Sequence, residues 1–303
     1  MIRVKVPATS ANMGAGFDCM GIALSLYNII EITKTESGLE IIDENSRIPL
    51  NEKNLTYRAM NEVFERVGFE PSGLKIVQKS QIPMTRGLGS SSACIIGGMV
   101  GANILSGRQL SYTEILDMAV KMEGHPDNVT PALYGGMCVS ALDGDKTCFK
   151  SIKLKPGYKF AAIIPDYFVA TRKSRCVVPE TFSKEDAVFN ISRAALLVAA
   201  FSSGDSSLLK TAVEDRMHQN YRSAYIEGMD EIFERTYMAG SKATYLSGSG
   251  PTIVSVIDDK TKDFKAKMEE FFKETGHRWR CKVLTVDNVG TVIQHVNSET
   301  YVV

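Results

Sequence analysis

Between Gly87 and Gly107 the chain carries no charged residue, although charged residues make up 23% of the whole. A segment with no charge must find an apolar surrounding, in a protein core or in a bilayer. Its length would just cross a membrane, where roughly 20 apolar residues are needed. Six glycines, four serines and Asn103 inside it make a poor lipid-facing helix. An extended run, residues 74–82, precedes it and ends at Pro83. The segment therefore reads as a strand delivering the chain to a glycine loop, which runs into a buried helix starting near Ser91.

That arrangement suits an anion. Glycines let the backbone turn with positive φ and come close to a ligand. The first turn of a helix leaves about four N–H groups without partners, and the macrodipole adds roughly half a positive charge. Ser90, Ser91 and Ser92 can cap those groups or turn their hydroxyls toward a phosphate or its metal. A serine-capped turn with nothing bound is the plainer alternative for this stretch alone. No Lys follows the second glycine, so the G-x-x-x-x-G-K-[ST] phosphate loop is absent.

At 303 residues, two domains are expected, and the charged turn Lys155-Pro156-Gly157 puts the boundary between 1–155 and 156–303. Lys plus Arg and Asp plus Glu each number 35, a balance that argues against a nucleic-acid partner. Six scattered cysteines with no C-x-x-C signal neither a zinc site nor a disulfide frame. The N-terminus lacks the apolar core of a secretory signal. A soluble cytoplasmic protein without membrane contacts is expected; a homodimer is one candidate assembly that the sequence leaves open.

Alternation over residues 2–6 predicts a strand, followed by the loop PATSANMGAGFDCMGIAL and a second strand over 22–33. Asn54 caps a predicted helix over 55–67, and Ser111 another over 112–122 that ends at Glu123 and the segment GHPDNVTPALYGG. Strands follow at 137–142, 147–154 and 158–165, then a short basic piece at 170–179. Helices are predicted from Ser183 to Phe201, at 206–217 and at 229–239. Residues 243–257 read as strand, SGSG turn and strand; a helix at 262–274 and closing strands at 280–286 and 291–296 complete a split βαβ pattern of ferredoxin-like type.

Three separated motifs, PATSANMGAGFD, PMTRGLGSSSA and LSGSGPT, come in that order. Together they resemble the kinase superfamily of galactokinase, homoserine kinase, mevalonate kinase and phosphomevalonate kinase. The spellings PATSANMGAGFDCMGIAL and EGHPDNVTPALYGG resemble its homoserine kinase branch over the full length. The resemblance implies an α+β fold, with an N-terminal half like domain 2 of ribosomal protein S5 and a ferredoxin-like C-terminal half. It implies ATP-dependent phosphorylation of the side-chain hydroxyl of L-homoserine, a step toward threonine.

Carried over residue by residue, the middle motif would hold the ATP phosphates with Pro83, Arg86, Gly87, Leu88, Gly89, Ser90, Ser91 and Ser92. Ser91 and Glu123 would hold Mg²⁺, and Asn54 would touch the adenine side. Asp18 and the Asn12 oxygen would receive the ammonium of homoserine. Arg175 and Arg222 would receive its carboxylate, with Thr171 nearby and Arg216 a rival, because Asn220 stands where the family has Pro. His125, Asp127 and Asn128 would flank the acceptor hydroxyl, with Asn128 nearest the place of the family's aspartate base. Gly248, Ser249 and Gly250 would close over the substrate. Bland roles compete at each position: turn residues bonding their own backbone, solvated arginines, a structural histidine. Other readings are a different small-alcohol kinase of the superfamily and a catalytically silent, ligand-sensing relative.

Overall fold

The computed structural model describes residues 1–44, 48–169, 171–295 and 300–302. The architecture is α+β, built on two sheets. Strands β1 (Ile2–Ala11) and β2 (Met20–Lys34) form a long hairpin whose tip is the first glycine-rich motif. One edge of β2 pairs with β1; the other pairs with β5 (Met137–Asp143) at its start and with β4 (Gly73–Ser80) at its end. Strand β3 (Gly38–Asp43) runs parallel to β4, and β6 (Lys146–Ile152) extends from β5.

Four helices cover this sheet: α1 (Leu55–Val67), α2 (Ser90–Leu105), α3 (Tyr112–Glu123) and α4 (Pro126–Tyr134). Asn54 caps α1, and Ser111 with Glu114 forms a capping box on α3. Helix α2 is the uncharged segment, buried in the protein. Among the described residues no helix is long and apolar enough to cross a membrane. Its glycines set the packing distance: Gly98 lies against the backbone of Thr56 in α1, and Gly101 against Ile32 of β2.

The second sheet has the order β10-β7-β9-β8, from β7 (Tyr158–Pro165), β8 (Ala243–Leu246), β9 (Ile253–Asp258) and β10 (Trp279–Leu284). All its pairs are antiparallel, and its two βαβ crossovers interleave as in ferredoxin-like folds. The first crossover contains α5 (Thr171–Cys176), α6 (Lys184–Ser203), α7 (Leu209–Ala212), α8 (Gln219–Ser223) and α9 (Met229–Met238); the second is α10 (Phe264–Thr275).

Three expectations need correcting. Residues 124–136 do not simply end α3: Gly124 caps it, His125 in extended conformation starts a new turn, and Pro126 occupies the first position of α4. Proline's fixed φ suits that position. The helix expected over 206–217 is instead a 3₁₀ turn (Ser206–Leu208) and the four-residue α7, because Asp215 turns inward to accept the backbone N–H groups of His218 and Gln219. Last, the strand expected to close the second sheet joins the first: β11 (Val292–His295) pairs with β1, and β12 (Thr300–Val302) with β11. Ala170 and Val296, parts of two expected elements, lie outside the described residues.

The α1–α2 contact yields a test in which two effects oppose. Gly→Ala inside a helix gains up to about 1 kcal/mol of propensity. At Gly98 the new methyl would sit 2.4 Å from the Thr56 carbonyl oxygen, a backbone atom. Overpacking of that kind costs about 1–3 kcal/mol. Gly98→Ala is expected to lower the urea midpoint. Gly101→Ala meets only the flexible end of Ile32 and should stay nearer the parent, so the reverse ranking would refute the packing account.

Candidate active site

Residues far apart in sequence meet in one cavity of about 280 Å³. Its wall takes in Asn12, Asp18, Asn54, Arg86, Gly87, Gly89, Ser90, Ser91, Glu123, His125, Asp127, Asn128, Arg175, Arg222, Gly248 and Ser249. Of the remaining expected residues, Pro83, Leu88, Ser92 and Gly250 stand outside this wall. Thr171 opens α5, and its side chain lies outside the described part of the structure. Arg216 pairs with Asp186 away from the cavity, which disposes of it as the rival of Arg222.

The three glycine-rich loops are joined by hydrogen bonds. Thr9 donates its N–H to the Leu88 carbonyl, Gly248 donates to the Ala11 carbonyl, and Thr252 donates to the Arg86 carbonyl. Asn12 Nδ2 donates to the Gly248 carbonyl at 2.9 Å, and Ser247 Oγ donates to the Gly87 carbonyl. Gly89 takes a left-handed conformation, φ 68°, and a Cβ there would fall 1.9 Å from Thr9 Oγ1. No side chain caps α2 after it. Its first-turn N–H groups therefore have no side-chain cap, an arrangement that suits an anion.

The three serines do different things. Ser91 Oγ donates to Glu123 Oε2 and Ser92 Oγ to Glu123 Oε1, both at 2.8 Å. Ser92 is buried and holds the carboxylate in place; Ser91 and Glu123 face the cavity. Arg86 bonds the carbonyls of Pro165 and Asp166, bridging the loop to the second sheet.

At the other end, Arg175 donates to both oxygens of Asp18, at 2.8 and 3.1 Å. Asp18 has φ 55°, and Asn12 and Met13 are also left-handed. Such strained non-glycine residues gather at functional sites. Asn12 Oδ1 accepts the Asp18 N–H at 3.0 Å, so the oxygen expected to meet a ligand ammonium also fixes the Asp18 backbone. His125 Nδ1 is hydrogen-bonded to Asp127 Oδ1. Burial opposes protonation of this imidazole, but the hydrogen bond and charge of Asp127 outweigh it and raise the pKa. Asn128 Oδ1 accepts from Thr9 Oγ1 at 2.7 Å.

Arg222 is buried and donates to the carbonyls of Ser174 and Gly248. Burial, with the nearby charge of Arg175, lowers its pKa to about 10, which leaves it charged. Its Nη1 points at His218 Nδ1, which must then accept, so His218 donates Nε2–H to the Gly14 carbonyl. Burial keeps that histidine neutral by lowering its pKa. Arg222 thus braces two loops, a role its motif did not suggest. Asn54 keeps the capping role expected of it while lining the cavity. Its Oδ1 accepts from Tyr57 N–H, and its Nδ2 donates to the Pro49 carbonyl and Gln78 Oε1, so both ends of the amide are committed.

Gln78, Met84, Lys53 and Cys94 also line the cavity and were not singled out from the sequence. Cys94 lies four residues after Ser90, and that spacing puts the two on one helix face. Lys53, Gln78 and Met84 carry no such signal.

Known proteins resemble this chain over nearly its whole length. The family description for the N-terminal domain of GHMP kinases matches residues 54–136, and that for the C-terminal domain residues 197–274. A homoserine kinase of Clostridium beijerinckii (strain ATCC 51743 / NCIMB 8052) is 48% identical over 97% of this chain and 98% of its own. One of Clostridium botulinum (strain 657 / Type Ba4) is 42% identical over 97% of this chain and 99% of its own. The crystal structure of homoserine kinase from Cytophaga hutchinsonii ATCC 33406 superposes with a TM-score of 0.86 at 26% identity, over 97% of each chain. With likeness along nearly the whole length and three glycine loops closing on one cavity, the chain belongs to the GHMP kinase family, in its homoserine kinase branch.

Proposed function

We propose that this kinase transfers the γ-phosphoryl group of ATP to the side-chain hydroxyl of L-homoserine, giving O-phospho-L-homoserine. The observation that carries this is the Asp18–Arg175 pair at the acceptor end of the cavity. A zwitterion can replace that contact on both sides at once, its ammonium facing Asp18 and its carboxylate facing Arg175 through a bidentate fork. Arg222 Nη2, with no partner among the described residues, adds a donor on the same wall. A sugar carries neither charge and mevalonate only one, so each would leave a charge unpaired.

The phosphates of ATP rest on the uncapped first turn of α2, where N–H groups and the helix dipole favour negative charge. Ser91 Oγ and Glu123 Oε2 are two hard oxygen donors on the cavity wall, a set that suits Mg²⁺ sharing phosphate oxygens and waters. Asp18, His125 and Asp127 also cluster within 4.8 Å, but His125 Nδ1 is spent on Asp127 and Asp18 on Arg175. Bound Mg²⁺ would supply charge neutralisation on the phosphates. The chain's own residues position the reactants, which is most of what phosphoryl transfer requires. Asp127 is tied to a histidine that favours protonation, and Asn128 cannot take a proton. The acceptor hydroxyl therefore loses its proton late, to phosphate or water, without a strong side-chain base.

Three measurements test this. ATP consumption should be stimulated by L-homoserine and not by mevalonate or galactose; the opposite pattern would refute the acceptor. Arg175→Ala should raise KM for homoserine about 30-fold, the low end of the effect of losing a charge partner, since this arginine is half exposed. An unchanged KM removes it from the site. Asp127→Asn should lower kcat by less than about 10³, because a larger loss would mark a general base.

A further inference from the structure

The cavity of about 280 Å³ has to serve an amino acid and a nucleotide. A second cavity of about 580 Å³ lies between the two sheets, on the other side of the same loop. The two share Ile48, Gln78, Met84, Arg86, Ser90 and Cys94 as a common wall. A nucleotide with its phosphates on the first turn of α2 has Ser90 at the phosphate end of that wall, and Cys94 one turn further along. Its nucleoside therefore belongs at the junction.

Polar groups at the junction are mostly committed. Asn54 spends both ends of its amide on its own neighbourhood. Gln78 Oε1 accepts from Asn54, and its Nε2 donates to Thr56 Oγ1 at 2.9 Å. Asn28 is the exception. It sits on β2, is 1% exposed, and lines the second cavity. Its Nδ2 donates to Cys94 Sγ at 3.5 Å, while its Oδ1 has no hydrogen-bond partner among the described residues. A buried amide oxygen left unpaired is costly, and its place beside a cavity marks where a donor belongs.

We propose that Asn28 reads the nucleobase, its Oδ1 accepting a hydrogen bond from the exocyclic amine of adenine. This rests on the ATP-dependent reading above. The Nδ2 contact with the Cys94 sulfur holds the amide so that oxygen is its free end. A purine without the amine leaves that oxygen as it is now, and a 6-oxo purine sets oxygen against oxygen. Asn28 is then a specificity-determining residue that lies 59 positions before the glycine loop begins at Gly87 and outside all three motifs.

The test compares ATP with purine riboside triphosphate, which lacks only the exocyclic amine, using homoserine as acceptor. Wild-type enzyme should show a KM for the analogue about tenfold above that for ATP, the scale of a buried acceptor left unpaired. In Asn28→Leu, which is close in shape, KM for ATP should rise about tenfold and the ratio between the two nucleotides fall to near one. Equal KM values in the wild type overturn the proposal without any variant, as does a folded Asn28→Leu that keeps the wild-type ratio. Should the wild type phosphorylate no homoserine, the functional reading fails. Calorimetric binding of the two nucleotides without acceptor then still measures the ratio and decides the role of Asn28.

Discussion

Thr9 and Gly89 are packed so closely that no side chain larger than hydrogen fits at position 89, where a Cβ would meet Thr9 Oγ1 at 1.9 Å. The neighbouring bond from Thr9 N–H to the Leu88 carbonyl makes the contact a fixed joint between β1 and the start of α2. Everything around the cavity is set relative to that joint. Thr9 Oγ1 itself reaches Asn128 at the head of α4, and β1 runs on into Ala11 and Asn12, which hold the third loop through Gly248. A shift of the helix start would therefore disturb the head of α4 and the third glycine-rich loop as well. Backbone contacts of this kind position groups more tightly than loops held only by side chains.

The charges are arranged with similar economy. Asp18 and Arg175 compensate each other, while Arg222 is buried among carbonyl oxygens and a neutral histidine. A buried guanidinium is tolerated because those acceptors take its Nε and Nη1 donors and because Asp18, Asp215 and Asp127 lie close enough to favour its charge. Phe17 completes the setting, stacked on His218 with its ring 5.3 Å from the Arg222 guanidinium carbon. The result is a rigid cationic wall behind a softer, exchangeable ion pair.

Much of this was legible in the sequence, for identifiable reasons. The absence of charge over 87–107 marked the buried helix, and glycine and serine composition marked where it starts, though not whether a serine caps it. Capping residues located α1 and α3 closely. What the sequence hid was tertiary. Helix α4 is rich in residues that usually break helices, with Pro126 at its start and Pro131 inside, so local punctuation outweighed its helical character. Asp215 looked like an ordinary helical residue because its inward turn depends on Asn190, a residue 25 positions earlier in the chain. Asn54 and Asn12 line the cavity, yet the Asn54 Nδ2 and both ends of the Asn12 amide are taken up by the fold, which spacing does not reveal.

The pairing of β11 with β1 bears on how the chain comes together as it is made. Ile2 lies opposite His295, so one edge of the sheet under α2 is covered only by residues made 293 positions later. Contacts spanning that much sequence are slow to form because a large loop must close first. On the ribosome, the early half must wait with β1 exposed along one edge while the ferredoxin-like sheet emerges. An unpaired edge invites association with other chains. The edge of β1 is thus covered late, by a strand that contributes none of the cavity lining.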